Sequence, residues 1–169
     1  FGTFNASNTN TRTIALGTGT FTVTASGTAF TTNIATNLTI TSTNEAATIS
    51  MTSASAKTFA GGGATFPCIL SNGGAGAITI TGNNTFYGFG NTTQPVTFTL
   101  TASTTQTLTK KLGVKGTSGN LVTINSATPG TQATIAKSND RISFGGDYLS
   151  ITDIAFTPAP TTTGSYPTP

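Results

Sequence analysis

Apolar and polar positions alternate in short runs along the whole chain. In Ala77-Ile78-Thr79-Ile80-Thr81 each β-branched apolar residue is followed by a threonine, the signature of a strand with one face inward and one outward. Variants recur at Thr20-Phe21-Thr22-Val23-Thr24, Asn37-Leu38-Thr39-Ile40-Thr41, Thr48-Ile49-Ser50-Met51-Thr52, Thr97-Phe98-Thr99-Leu100-Thr101, Val122-Thr123-Ile124-Asn125 and Leu149-Ser150-Ile151-Thr152. Further strands are predicted around Ile14, Phe59, Phe66 to Leu70, Leu108, Ile135 and Ile142/Phe144. Turn residues separate the runs: Gly17-Thr18-Gly19, Ala25-Ser26-Gly27 and Ser71-Asn72-Gly73-Gly74, with Asn33, Asn37 and Asn44 suited to left-handed corners. No stretch sustains an apolar pattern at i, i+3, i+4, so the chain is predicted to be all-β.

Two all-β architectures fit. One is a right-handed parallel β-helix, each coil supplying two or three short strands; the alternative is an antiparallel β-sandwich. The apolar pairs recur at irregular intervals, so no strict repeat decides between them. Outward threonines and corner asparagines favour the stack, because successive coils bring like residues into register where their side chains can hydrogen-bond. Phe86, Tyr87 and Phe89 are predicted to be core aromatics. Ala60-Gly61-Gly62-Gly63-Ala64 lacks the Lys-Ser/Thr and the helix of a phosphate loop, so a tight turn is expected. Residues 1–157 read as a single solenoid domain. Residues 158–169, with four prolines, read as a tail or linker, since proline cannot donate to a ladder.

Composition narrows the chemistry. Threonine makes up about a quarter of the 169 residues, charged residues only 7%, and histidine is absent. The absence of histidine excludes Ser-His-Asp and Cys-His catalysis and histidine metal sites. A net charge of +3 from so few ionised groups cannot build a dense phosphate-binding surface, so no nucleic-acid partner is expected. No apolar run is long enough to span a bilayer, and membrane insertion is not expected. The chain begins at Phe1, so a processed leader or a longer parent polypeptide is expected. Cys68 has no internal partner and reads as a small buried apolar residue.

The carboxylates are Glu45, Asp140, Asp147 and Asp153. Asp147 and Asp153 bracket one strand at even separation, which leaves a glycosidase-like pair open, with a strand-end or turn role as the ordinary explanation. Calcium held by Asp140 and Asp147 with backbone carbonyls also stays open, although the aspartate-rich nonapeptide of calcium-binding solenoids is missing. Catalytic, cofactor and metal residues are therefore assigned to none. Lys110, Lys111 and Lys115 form the only basic cluster. It reads as a solvated edge that discourages strand pairing, or as a speculative contact for an anionic glycan or a subunit.

In their order along the chain, Lys57-Thr58-Phe59-Ala60-Gly61-Gly62-Gly63, Ile78-Thr79-Ile80-Thr81-Gly82-Asn83-Asn84-Thr85-Phe86, Phe98 to Leu108, Gly116 to Ser126 and Asp147-Tyr148-Leu149-Ser150-Ile151-Thr152-Asp153 resemble threonine- and glycine-rich β-solenoid proteins of tailed bacteriophages and aquatic bacteria. In that family the Tyr-Leu-Ser-Ile-x-Asp strand is a late coil followed by a Trp- and Asn-containing segment; here the chain turns to proline. The resemblance implies a structural or adhesive virion component, such as a tail fibre, appendage or surface decoration, located in the virion. Its expected partners are other virion subunits or copies of itself, and a host surface glycan. A bacterial surface adhesin or extracellular filament subunit is the alternative, and a polysaccharide-degrading β-helix enzyme a third reading. The family's motif carries no catalytic residue and implies no cofactor.

Overall fold

The computed structural model describes residues 1–138 and 147–158. The described residues wind through seven coils. The first holds β1 (Phe4–Asn5), β2 (Arg12–Ala15) and β3 (Thr20–Val23), and the second β4 (Gly27–Thr31), β5 (Leu38–Thr41) and β6 (Thr48–Met51). Two strands per coil follow: β7 (Lys57–Ala60) and β8 (Thr65–Asn72); β9 (Ile78–Thr81) and β10 (Thr85–Asn91); β11 (Val96–Leu100) and β12 (Thr105–Leu112); β13 (Val122–Ser126) and β14 (Ala133–Lys137); β15 (Leu149–Thr152) and β16 (Ile154–Thr157). The expected Ile142/Phe144 strand lies outside the described residues.

Every pairing between these strands is parallel, and each strand pairs with its counterpart one coil away. The fold is therefore an all-β parallel β-helix, and the antiparallel sandwich is set aside. One sheet runs β1-β4-β7-β9-β11-β13-β15, a second β16-β14-β12-β10-β8-β6-β3, and β2-β5 form a two-stranded third. Coil length varies: Phe30 lies opposite Phe59, 29 residues on, whereas Ile80 lies opposite Leu100, 20 residues on. Corners of different length absorb the difference, which is why no strict period is visible in the sequence.

The long strands β8, β10 and β12 each serve two sides of the coil. β6 pairs with Ile69 to Asn72, the second half of β8, whereas β14 pairs with Thr105 to Leu108, the first half of β12. A register shift at Phe86/Gly88 marks the bend between the halves. The first half of β8 abuts β5, where the Ser42 hydroxyl donates to the Pro67 carbonyl. The two-stranded third side of the first two coils is thus continued by bent strands in the coils above.

Stacked coils place like side chains in columns. Phe4, Phe30, Phe59, Ile80 and Leu100 form one inward column; Phe21, Ile49, Leu70, Phe89 and Leu112 form another. Rungs in such a stack lie about 4.8 Å apart, close enough for ring-on-ring contact. Phe30 and Phe59 stack at 4.5 Å, Phe66 and Phe86 at 5.3 Å, and Phe89 and Phe98 at 5.6 Å. Phe86 and Phe89 are core residues as expected, while Tyr87 is half-buried. Cys68 is buried in this core, and desolvation pushes its thiol up to about 12.

Candidate interaction surface

Threonine occupies the outward positions of the first sheet. Thr28, Thr58, Thr79 and Thr99 align in one column that continues through Asn125 and Thr152. Thr99 Oγ1 lies 3.1 Å from Asn125 Oδ1 and donates to it, a rung of the expected side-chain ladder. At strand ends the hydroxyls do something else. Thr24, Thr52 and Thr101 each send both the backbone N–H and Oγ1 to one carbonyl in the coil below, those of Phe1, Val23 and Ile80 respectively. A carbonyl oxygen has two lone pairs, so the one that accepts the threonine N–H has room for its hydroxyl as well.

Buried polar side chains gather at two of the corners. At one corner Asn84 Nδ2 donates to Gln106 Oε1 (3.0 Å), Gln106 Nε2 to the Gly82 carbonyl (2.7 Å), and the Gly63 N–H to Asn84 Oδ1 (3.1 Å). The triglycine stretch is the tight turn expected: Gly62 and Gly63 have φ of 64° and 86°, and the Ala64 N–H bonds the Gly61 carbonyl. A Cβ at Gly61 would lie 2.1 Å from Asn84 Oδ1, so the missing side chain makes room for that amide. Asn37 and Asn44 take left-handed φ of 56° and 53° as their type predicts; Asn33 does not.

The opposite corner encloses a buried ammonium. Lys57 is 1% exposed and shares an inward column with Ile78, Phe98 and Ile124. Its Nζ donates to the Ser53 carbonyl at 2.9 Å and the Gly76 carbonyl at 2.6 Å. Asn72, also fully buried, donates to the same Gly76 carbonyl and to that of Thr97. Desolvation pulls Lys57 down to about 8 from 10.5. Lys57 was not singled out in the sequence, although its even spacing from Phe59 carried the signal.

Lys110 and Lys111 are exposed on β12, and Lys115 is exposed just beyond it. Lys110 and Lys111 follow Leu108, the last β12 residue paired with β14, so this half of β12 has a described strand on one side only. Lys115 is held by its backbone: Asn91 bonds both its N–H and its carbonyl, and Gln94 Nε2 donates to the same carbonyl. The exposed lysines thus lie on the second half of β12 and just beyond its end.

The carboxylates occupy separate stations. Glu45 sits on a 3₁₀ turn (Thr43–Glu45). Asp153 lies at the corner between β15 and β16 with φ of 55°, and its Oδ2 accepts the Gly130 N–H at 3.0 Å. Its carbonyl accepts the Ala133 N–H, so Asp153 fills the turn role. The Asp147 carbonyl accepts the Gly116 N–H. Asp140 lies outside the described residues. Among the described residues no three His, Cys, Asp or Glu side chains cluster to hold a metal ion, and no helix is long and apolar enough to cross a membrane.

The fold and these surfaces define a β-solenoid whose buried polar groups tie coil to coil. No family model, curated protein or solved structure matches the chain.

Proposed function

We propose that the chain is a non-enzymatic structural or adhesive module of a phage virion, a stiff rod within a tail fibre, appendage or surface decoration. The observation that carries this reading is the single apolar core running through the stack, with rings in contact from Phe1 and Phe4 to Phe98. Such a core resists bending between coils, because each coil can move only by unstacking its neighbours. The ordered resemblance to phage and aquatic-bacterial solenoid proteins supplies the virion setting. Lys57, Asn72, Asn84 and Gln106 support a scaffold rather than a reactive site, since their polar atoms bind the backbone and one another.

Mass spectrometry of purified particles from the producing host tests the reading. Peptides of this chain at a stoichiometry matching a structural component are expected. Recovery in the cell-envelope fraction alone would favour the bacterial adhesin instead.

Lys110, Lys111 and Lys115 are the surface we assign to an anionic host glycan. Binding to a polyanionic polysaccharide should weaken at least tenfold between 50 and 300 mM salt and be lost in the triple Lys→Gln variant. Binding that ignores both salt and the substitutions removes this role.

A further inference from the structure

Where β8, β10 and β12 bend, the outward side chains differ from the threonines of the first sheet. Phe86 and Phe89 face the core, and Tyr87 between them turns outward and is half-buried. Register gives its flanks. Phe86 lies opposite Phe66 and Leu108, and Gly88 opposite Ile69 and Lys111, so Tyr87 sits between Pro67 and Cys68 of β8 and Thr109 and Lys110 of β12. Cys68 is buried, Pro67 and Ile69 are half-buried, and Lys110 and Lys111 are exposed. Among the described residues the Tyr87 ring meets no other ring, its hydroxyl has no hydrogen-bond partner, and neither lysine ammonium is in an ion pair.

Glycines shape the patch. A Cβ at Gly88 would lie 3.1 Å from Lys111 Cγ, and one at Gly113 3.4 Å from Lys111 Cδ and Cε, so the Lys111 stem lies along bare backbone and its ammonium is carried on a packed arm. A Cβ at Gly90 would lie 3.2 Å from Ile69 Cγ2, so Ile69 also spreads over bare backbone. The result is an apolar floor of Pro67, Ile69 and Tyr87 edged by two unpaired cations. We propose that this patch is a sugar subsite: one pyranose ring of an acidic polysaccharide stacks on Tyr87, and acidic groups of the same polymer meet Lys110 and Lys111. A pyranose ring presents a face of C–H groups with slightly positive hydrogens, which the negative face of an aromatic ring attracts, and an acidic peptide has no such face. An apolar platform with a few charged groups at its edge is also the pattern that orients a small ring. The lysines complement a carboxylate or sulfate but accept any polyanion, and salt screens them; the ring adds discrimination. This deepens the assignment of Lys110, Lys111 and Lys115 to an anionic glycan and rests on it.

Equilibrium binding of the purified chain to oligogalacturonate and to polyglutamate of equal charge tests the subsite, since both polymers carry carboxylates and only the first carries pyranose rings. The wild type should bind oligogalacturonate more tightly, by about tenfold. Tyr87→Leu, which keeps apolar bulk and loses the ring, should erase that preference and leave polyglutamate binding unchanged, while Tyr87→Phe should retain it; thermal melts check that both variants fold. Equal affinity of the wild type for the two polymers overturns the subsite without any variant, as does a preference that survives Tyr87→Leu. Salt-sensitive binding of both polymers without preference would strike Tyr87 alone and leave the lysine assignment standing. Binding of neither polymer would strike both.

Discussion

Lys57 shows how a single residue carries the polar cost of this core. Its ammonium is buried at a position that the next three coils fill with Ile78, Phe98 and Ile124, and it meets two backbone carbonyls. Both carbonyls keep another donor without it: the Gly76 N–H for Ser53 and Asn72 Nδ2 for Gly76. Lys57→Met should therefore stabilise the fold at pH 7, by about 1 kcal/mol, since no acceptor is orphaned and a desolvated charge is removed. The pH dependence follows from the sign of the shift. A folded-state value near 8, below the unfolded 10.5, means that the unfolded chain holds more protons between the two. Wild-type stability should rise as pH increases from 8 to 10.5, and the Met variant should lose that rise. Thermal melts at pH 7 and pH 10 check both; a Met variant less stable at pH 7 would show that the two hydrogen bonds outweigh desolvation. The strand Lys57-Thr58-Phe59 was legible in the sequence, and its parity puts Lys57 on the side of Phe59. What the sequence did not reveal was the corner of carbonyls that receives the ammonium, because Ser53 and Gly76 meet only when two coils stack.

At the scale of the element, the corners decide which residues are replaceable. A Cβ at Gly76 would lie 2.0 Å from the Ser55 carbonyl oxygen, against rigid backbone. Gly76→Ala should cost about 2 to 4 kcal/mol, because the corner must open and the Lys57 and Asn72 bonds to the Gly76 carbonyl move with it. Gly19 has nothing within 4 Å of its Cβ position, so Gly19→Ala should change stability by less than about 0.5 kcal/mol. Denaturant midpoints of the two variants measure the contrast, and equal effects would contradict the corner packing. Alternating strands such as Ile78-Thr79-Ile80-Thr81 were legible because a residue period of two needs no knowledge of neighbours. The bent strands were not: Phe66-Pro67-Cys68-Ile69-Leu70 reads as one straight apolar run, yet β8 shifts register within it to serve two sides of the coil. Threonine was expected to bond threonine across coils. At strand ends Thr24, Thr52 and Thr101 instead find a carbonyl below, an acceptor that sequence alone does not locate.

At the scale of the whole molecule, a parallel stack makes every coil both support and load for the next. Thr79 sits between Thr58 and Thr99, and Ile80 between Phe59 and Leu100, so the stretch from Ala77 to Thr81 is one rung in a continuous column. The parallel β-helix was favoured from threonine and asparagine content, and the variable corners explain why no fixed period confirmed it at that level. The surface lysines were legible as a cluster, but their shared position beyond the last β14-paired residue of β12 needed the coil geometry. The central claim is that this stiff stack serves as a structural part of a phage particle. Immunogold electron microscopy of native particles, with antibody raised against the purified chain, tests it most directly. The account predicts gold at a repeated position on a tail fibre, appendage or capsid surface. Gold confined to the bacterial cell surface, with bare particles, would contradict it.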